Sequence, residues 1–333
     1  MKLLVAGGAG FIGSTFVRTF LASNPEAMVT VLDKLTYAGR RENLDGADQR
    51  RLAFVEGDIC DGEVVAGAIE GCDATVNFAA ESHVDRSIDS PGEFIETDVF
   101  GTYVLLEAAR DAGIRHLQVS TDEVYGSIEE GSFTETSPLD PSSPYSASKA
   151  GGDLLVSAFR HTYGMDSLTV RASNNYGPFQ QPEKLIPLTI LNALHGDTIP
   201  VYGDGMQVRN WLFAEDFCSA IRVVLEVGEA GEVYNVGGPD ELPNIDVVRA
   251  ILRLAGESED AIEYVDDRPG HDRRYSLSSS KVEDLGWEAE VPFEEGIART
   301  VEWYRDNPRW WEPIRSGEYR EYYLAKYGRS LAD

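Results

Sequence analysis

The N-terminal stretch Lys2–Gly13, KLLVAGGAGFIG, decides the fold. It joins a short apolar run to glycines at positions 7, 10 and 13, and Phe11–Ala22 then continues with helical spacing. Glycines at such a turn let backbone N–H groups approach a pyrophosphate, and the N-terminus of the helix adds positive potential. The stretch therefore predicts a strand, a phosphate-binding turn and a helix, with a purely structural turn as the alternative.

The first half of the chain alternates strand-like with helix-like segments. The strand-like segments are Lys2–Ala6, Met28–Asp33, Leu52–Glu56, Ala74–Phe78 and Arg115–Ser120. Helical patterns cover Phe11–Ala22, Glu93–Ala112 and Pro144–Tyr163. This alternation predicts an α/β fold with a doubly wound, Rossmann-type parallel sheet.

The pattern changes after about residue 170, where prolines and glycines become frequent. We expect residues 1–171 to form a nucleotide-binding domain and residues 172–333 mostly a smaller mixed α/β substrate lobe. A region around 207–236 is expected to return to the main sheet, because Asn210–Gly228 has a helical pattern and Glu232–Val236 resembles a strand.

Composition excludes several classes of protein. The 333 residues are 42% apolar, so a large core can form, but the sequence has no apolar run long enough for a spanning helix. The net charge of −28 argues against nucleic-acid and anionic-membrane partners. Three widely spaced cysteines favour a reducing cytoplasm, and five histidines without ligand spacing predict no metal site.

A carboxylate follows the second predicted strand at the expected distance from the glycines. Asp33 lies 20 residues (33 − 13) after Gly13. A carboxylate at this position accepts hydrogen bonds from the ribose hydroxyls of adenosine and repels a 2′-phosphate, which favours NAD over NADP. The adjacent Lys34 leaves NADP open. Asp58, at the end of the third strand, is a candidate partner for the adenine amine, or an ordinary strand-end turn.

Two short motifs predict proton chemistry. Tyr145 and Lys149 lie four residues apart and share one helix face, where an ammonium group favours the phenolate. Thr121, Asp122 and Glu123 end a strand that has a buried pattern, and the carboxyl ends of parallel strands are where ligands bind. Two neighbouring carboxyl groups can divide the roles of acid and base if the backbone turns after Thr121.

Together these features resemble the extended short-chain dehydrogenase/reductase family, and the resemblance spans nearly the whole chain. Longer runs are similar to the dTDP-glucose 4,6-dehydratase family: Asp33–Gly39, Phe78–Ser87, Asn174–Pro178, Pro182–Pro187 and Asp267–Tyr275. One departure is Asp98, where that family carries an asparagine that supports the active-site backbone.

The resemblance implies dehydration of dTDP-glucose to its 4-keto-6-deoxy form. Tyr145 would take the C4 hydroxyl proton as NAD takes the C4 hydride, and Thr121 would help to hold the keto oxygen. Glu123 would then remove the C5 proton, and protonated Asp122 would protonate the leaving C6 hydroxyl. The hydride would return to C6, and Glu123 would reprotonate C5. Lys149 completes the implied catalytic set.

The resemblance also implies two sets of binding residues and a homodimer formed by the two long helices. The implied NAD-binding residues are Gly7, Gly10, Phe11, Ile12, Gly13, Asp33, Lys34, Thr36, Asp58, Ile59, Ala79, Ala80, Thr97, Tyr145, Lys149 and Asn175. The implied substrate-binding residues are Ser82, Thr121, Asn174, Lys184, Leu185, Pro200, Tyr202, Arg209, Asn244, Arg268 and His271.

Other functions share parts of this pattern. A nucleotide-sugar 4-epimerase would use the same cofactor site and Tyr145–Lys149 pair but needs no transfer at C5 or C6. A decarboxylase of a nucleotide-linked uronic acid, a dehydratase of UDP-glucose type and a non-catalytic NAD-binding regulator are the remaining alternatives. The base of the nucleotide follows from the resemblance alone.

Overall fold

The computed structural model describes residues 1–316 and 318–327. The strands are β1 (Lys2–Ala6), β2 (Met28–Asp33), β3 (Leu52–Glu56), β4 (Ala74–Asn77), β5 (Arg115–Thr121), β6 (Ser167–Ala172), β7 (Asn174–Tyr176), β8 (Ile199–Tyr202), β9 (Val208–Phe213), β10 (Val233–Val236), β11 (Asp240–Pro243) and β12 (Ile262–Val265). The α-helices are α1 (Phe11–Ser23), α2 (Gly62–Ala68), α3 (Val84–Asp89), α4 (Pro91–Phe94), α5 (Thr102–Ala112), α6 (Pro144–Tyr163), α7 (Leu185–His195), α8 (Ala214–Val227), α9 (Asn244–Ala255), α10 (Ser280–Glu283), α11 (Phe293–Asp306), α12 (Pro308–Ser316) and α13 (Glu318–Tyr327).

The main sheet has seven parallel strands in the order β10-β6-β5-β4-β1-β2-β3. The strand order reverses between β1 and β4, which places a crevice at the carboxyl ends of these strands. The predicted Rossmann-type sheet is therefore confirmed, and β10 pairs with β6 at one edge of it.

Both faces of the sheet are covered, which explains why its strands are continuous apolar runs. On one face, α1 and α8 pack against the sheet through side chains such as Phe16 and Phe217. On the other face, α2, α5 and α6 contribute a second core that includes Leu105 and Phe159. These helices hold the strand ends in fixed positions around the crevice.

A second lobe contains the smaller sheets. Strands β11, β9 and β7 form one, and β12 pairs with β8 in the other. Helices α7, α9 and α11 pack against them around a core with many aromatic side chains. Trp310 and Trp311 are buried in this core.

Two predicted helices differ from those observed. The helix predicted over Glu93–Ala112 is divided, because a seven-residue π-helical segment, Ile95–Gly101, separates α4 from α5. The helix predicted over Asn210–Gly228 begins only at Ala214, since the preceding residues pair as β9 in the second lobe. In each case, packing against a neighbouring element overrides the local helical pattern.

Candidate active site

The glycine turn after β1 has the geometry that the sequence predicted. Gly7 has a φ of +72°, and a Cβ atom there would collide with the backbone of Ala79. A Cβ atom at Gly13 would collide with the carbonyl oxygen of Gly7. Gly10 precedes α1 without a capping side chain, so the first amides of the helix face the turn. The turn thus fits a pyrophosphate.

Asp33 ends β2 beside this turn. Its Oδ2 accepts a hydrogen bond from the amide of Ala9 at 2.9 Å, and its Oδ1 accepts one from the amide of Leu35 at 2.9 Å. Burial raises the pKa of Asp33, and the two amide bonds oppose that shift. Each carboxylate oxygen keeps acceptor capacity for a ribose hydroxyl.

Lys34 is turned toward other partners. Its Nζ lies 3.5 Å from Oδ2 of Asp58 and 3.4 Å from Oγ1 of Thr97. An ammonium held beside a carboxylate is partly neutralised, which disfavours a 2′-phosphate at this position. The arrangement supports NAD over NADP.

One cavity brings together most of the predicted cofactor residues. Its lining consists of Gly7, Gly10, Leu32, Asp33, Lys34, Thr36, Ala38, Gly39, Gly57, Asp58, Ile59, Phe78, Ala79, Ala80, Glu81 and Thr97. The first turn of α1, with the predicted residues Phe11, Ile12 and Gly13, lies beside the cavity. The glycine cradle and the Asp33 carboxylate fit an adenine dinucleotide.

The backbone turns after β5, as joint action of the two neighbouring acids requires. β5 ends at Thr121, and Asp122–Tyr125 form a 3₁₀ turn. Oγ1 of Thr121 accepts a hydrogen bond from the amide of Glu123 at 3.2 Å and donates one to Oδ1 of Asp122 at 3.2 Å. Thr121 therefore caps the turn that carries both carboxyl groups.

The two carboxyl groups have different surroundings. Asp122 is buried, and its Oδ2 has no hydrogen-bond partner among the described residues. Burial, together with the charge of Glu123, raises the pKa of Asp122 to about 8, so this group is protonated at neutral pH. Burial also raises the pKa of Glu123, but Arg268, Arg209 and Lys184 oppose the shift. Such unequal surroundings suit a division into one acid and one base.

Helix α6 carries the tyrosine and lysine. Ser143 and Ser146 form a capping box at its start, which fixes the first turn around Tyr145. Lys149 is buried and donates a hydrogen bond from Nζ to the carbonyl oxygen of Val119 at 2.9 Å. The lysine is thereby anchored to β5.

The pKa of Tyr145 differs from the expectation. Burial, followed by the charges of Glu123 and Asp98, raises it well above its usual value. A hydrogen bond with Thr121 opposes the shift. Desolvation and nearby carboxylates dominate this pKa in the protein without its cofactor, whereas the predicted influence of Lys149 stays a prediction.

A second cavity lies between the 3₁₀ turn after β5 and the second lobe. Its lining is Ser82, His83, Val84, Asp85, Glu123, Asn174, Asn175, Gln180, Glu183, Lys184, Leu185, Ile186, Leu188, Pro200, Val201, Tyr202, Gln207, Arg209, Trp211, Asn244, Arg268, His271 and Tyr327. This set includes every predicted substrate residue except Thr121. Asn175, which was predicted to contact the cofactor, also lies here.

The cations of this cavity are held by neutral or opposite groups. Nζ of Lys184 donates to the carbonyl oxygen of Ser82. Arg209 donates to the carbonyl oxygen of Asp272 at 3.0 Å. Burial lowers the pKa of both Lys184 and Arg209. With Arg268, three cations line one cavity of an acidic chain, and such a cluster has the chemistry that suits a diphosphate.

Among the described residues, three asparagine side chains in the same cavity have unsatisfied amide oxygens. The Oδ1 atoms of Asn174, Asn175 and Asn244 are buried, and none has a hydrogen-bond partner in the described part of the chain. Buried polar atoms without partners are costly, and a polar ligand would satisfy them. Their position beside the cations fits the sugar or phosphate groups of a nucleotide sugar.

The sequence did not predict all residues of this site. Asp85 accepts a hydrogen bond from the hydroxyl of Tyr202 at 3.0 Å and lies 3.8 Å from Arg268. Tyr327 reaches the cavity from α13, and its hydroxyl lies 3.4 Å from that of Tyr202. Asp85 lies inside a run used for the resemblance, but no local pattern links Tyr327 to the site.

The described residues contain no group of three or more His, Cys, Asp or Glu side chains placed to hold a metal ion. No helix in the same ranges is long and apolar enough to cross a membrane.

Comparison with known proteins gives consistent matches. The family model described as GDP-mannose 4,6 dehydratase matches residues 4–300. The dTDP-glucose 4,6-dehydratase of Streptomyces niveus is 52% identical over 323 residues, 95% of this chain and 96% of that protein. The low-salt glycan biosynthesis protein Agl12 of Haloferax volcanii is 54% identical over 306 residues, 91% of this chain and 98% of that protein.

A solved structure matches as well. DesIV of Streptomyces venezuelae, a dTDP-glucose 4,6-dehydratase crystallised with NAD bound, superposes with a TM-score of 0.93 at 54% identity. The match covers 94% of this chain and 100% of that one.

Proposed function

The chain belongs to the dTDP-glucose 4,6-dehydratase family, and from this premise we propose that it converts dTDP-glucose to dTDP-4-keto-6-deoxyglucose with release of water. The observation that supports this most directly is the pair of carboxyl groups on the turn after β5. Asp122 is protonated at neutral pH, and Glu123 lines the substrate cavity. An elimination across C5 and C6 needs an acid and a base placed together.

The residues of this chain divide the proton transfers. When bound, NAD supplies the oxidant that accepts hydrogen from C4 and returns it to C6. Tyr145 takes the proton of the C4 hydroxyl, and Thr121 shares the stabilisation of the resulting carbonyl oxygen. The carbonyl acidifies C5–H, which Glu123 removes, and Asp122 donates its proton to the departing C6 hydroxyl, which leaves as water. Glu123 then returns the proton to C5 as C6 regains hydride.

Two cavities support the remaining roles: the one beside the glycine turn, here called the NAD cavity, and the one that Glu123 lines, here called the substrate cavity. Asp33 holds the adenosine ribose, and the glycine turn holds the pyrophosphate of NAD. Lys184, Arg209 and Arg268 bind the substrate diphosphate. Asn174 and Asn244 bond its polar groups, and Tyr202 flanks the base. In this arrangement, residues 1–171 hold the cofactor and residues 172–333 supply most of the substrate contacts.

The variant Glu123→Gln separates the steps. It keeps the shape of the cavity but removes the base, so bound NAD should still become reduced on addition of dTDP-glucose while water release falls by about 100-fold or more. Nicotinamide absorbance measures the first event, and product mass spectrometry measures the second.

Glu129→Gln is the matched control, because this acid lies a few residues away and is exposed. It should behave as the unaltered protein in both measurements. Normal water release by Glu123→Gln would refute the role of Glu123. A product of unchanged mass from the unaltered protein would instead indicate a 4-epimerase, and no reaction with dTDP-, UDP-, CDP- or GDP-glucose would indicate an NAD-binding regulator.

We further propose that the protein is a cytoplasmic homodimer. All three cysteines are free, which suits a reducing compartment. The helical stretch 95–112 and helix α6 expose large apolar side chains, here called the helix face. Its members are Ile95, Phe100, Tyr103, Leu154 and Tyr163. A second copy of this chain would cover such a face through a two-fold interface.

A further inference from the structure

One wall of the NAD cavity is a surface segment. Residues 34–40, here called the cofactor loop, follow Asp33 and contribute Lys34, Thr36, Ala38 and Gly39 to the cavity lining. Leu35 adopts a left-handed φ of +53°, which bends the chain at once after β2. The rest of the lining comes from the glycine turn, from the residues that follow β3 and β4, and from Thr97. Outward displacement of the cofactor loop would therefore open this cavity.

Three side chains connect the cofactor loop to the rest of the molecule. The hydroxyl of Tyr37 donates to Oε1 of Glu183 at 2.9 Å. Nη2 of Arg86 lies 3.5 Å from Oε2 of the same carboxylate, and the Arg86 guanidinium stacks 3.9 Å from the centre of the Tyr37 ring. Only 3% of the Glu183 side chain is exposed. Each member of this triangle contacts both others.

Backbone contacts support the same connection. Nε2 of Gln181 donates to the carbonyl oxygens of Tyr37 and Ala38, at 3.3 and 3.2 Å. Nη1 of Arg40 donates to the carbonyl oxygen of Trp310 at 3.0 Å. The second lobe thus holds the loop from Tyr37 to Arg40, and the loop cannot move outward without breaking these bonds.

We propose that Tyr37, Arg86 and Glu183 form a clasp that retains NAD by pinning the cofactor loop to the second lobe. This inference rests on the proposed function, in which the hydrogen removed from C4 returns to the same sugar. Loss of the cofactor between these steps would leave an oxidised sugar on the protein. The clasp also adjoins the substrate site, because Lys184 follows Glu183 directly and lines the substrate cavity.

The clasp acts on cofactor release and not on chemistry, so its test uses no sugar. The holoprotein is loaded with isotope-labelled NAD, and release is followed during dilution into unlabelled NAD. Tyr37→Phe keeps the ring under Arg86 but loses a hydrogen bond to a charged group. We expect release at least about tenfold faster than in the unaltered protein. Glu183→Gln keeps an acceptor for the Tyr37 hydroxyl but loses the charge. We expect this variant to release NAD faster than the unaltered protein but more slowly than Tyr37→Phe.

The double variant distinguishes a clasp from ordinary packing. If the three groups act as one unit, Tyr37→Phe combined with Glu183→Gln should accelerate release by clearly less than the product of the two single effects. Tyr264→Phe, which removes the hydroxyl of an exposed tyrosine on β12, is the matched control and should release NAD at the normal rate.

Thermal unfolding of the NAD-free variants shows whether each one folds. Release rates within twofold of normal in both single variants would overturn the clasp, and so would fully multiplicative effects in the double variant. If Tyr37→Phe does not fold, the test rests on Glu183→Gln alone. A normal rate of NAD release from that variant would then overturn the proposal. Failure of the proposed dehydration would show in product mass and leave these release rates unaffected.

Discussion

At the scale of single residues, Asp98 is the departure with the clearest consequence. It is buried in the π-helical segment, where its Oδ2 accepts a hydrogen bond from Ser148 at 2.7 Å and its Oδ1 accepts one from the amide of Glu81 at 3.1 Å. Burial raises its pKa to about 6, although the charge of Lys149 opposes the shift. An asparagine would keep one acceptor oxygen but never carry a charge.

This difference predicts a change in pH dependence. Above pH 6, Asp98 is ionised, and its negative charge raises the pKa of Tyr145. Removing the charge in Asp98→Asn should lower the pKa of Tyr145. The acidic limb of kcat/KM for dTDP-glucose should therefore move to lower pH, by about half a unit to one unit. The measurement is kcat/KM as a function of pH in buffers of constant ionic strength.

Asp111→Asn provides the control, because Asp111 lies on the next helix and its side chain is 73% exposed beside Arg110. Its pH profile should superpose on that of the unaltered protein. If Asp98→Asn also superposes, the charge at position 98 does not influence Tyr145.

Residue-scale chemistry was only partly predictable from the sequence. Thr121, Asp122 and Glu123 are contiguous, so their common location follows from one motif. The unequal surroundings of the two acids depend on burial and on Arg209 and Arg268, which arrive from distant segments. The raised pKa of Tyr145 also comes from burial and from the charges of Glu123 and Asp98. The four-residue spacing between Tyr145 and Lys149 does not predict it.

At the scale of elements, the sequence predicted helix bounds correctly where capping residues mark both ends of the helix. Helix α6 matches the predicted Pro144–Tyr163 at each end, since Ser143 caps its start and Gly164 adopts a φ of +67° after its last turn. The π-helical segment was missed, because π-helices are rare and occur mostly as single turns inside α-helices, so the α-helical pattern is the default expectation. Tertiary contacts select it, and they turn Thr97 and Asp98 inward.

The helix face provides the prediction at this scale. A glutamate at Leu154, a position 61% exposed, would place a charge at each of two symmetric sites in the proposed dimer. Leu154→Glu should therefore shift the protein from twice the mass of the chain to a single chain in light scattering coupled to gel filtration. Loss of the dimer should be strongest at low protein concentration.

Leu254→Glu serves as the comparison, because Leu254 is a partly exposed leucine on α9 in the second lobe. It should leave the mass unchanged. A single-chain mass for the unaltered protein would end the dimer proposal, and a dimeric Leu154→Glu would locate the interface elsewhere.

At the scale of the whole molecule, the relation between the lobes was the least predictable feature. Tyr37, Arg86 and Glu183 lie far apart in the sequence, and no periodic pattern pairs them. Their contacts exist because the second lobe covers the carboxyl ends of the strands. The sequence predicted two lobes and two ligand sites, whereas the contacts that join the lobes required the fold itself.

Net charge is the other property of the whole molecule, and it predicts a dependence on salt. With a charge of −28, the folded chain repels itself, and surface ion pairs offset only part of this. Raising KCl shortens the screening length from about 10 Å at 0.1 M to about 3 Å at 1 M. In a chain of 333 residues, each kcal/mol of relieved repulsion raises the Tm by roughly 1–2 °C, so we expect a rise of a few degrees.

The origin of that rise is tested by removing charge. Glu26, Glu129, Glu130 and Glu288 are exposed acids, and their joint replacement by glutamine reduces the negative charge by four. Because less repulsion remains to be screened, this variant should have a higher Tm at low salt and a flatter dependence of Tm on KCl. Scanning calorimetry across the salt series measures both. Parallel curves of Tm against KCl for the two proteins would show that salt acts by another route, such as strengthening of the hydrophobic core. Self-repulsion would then not limit the stability of this fold.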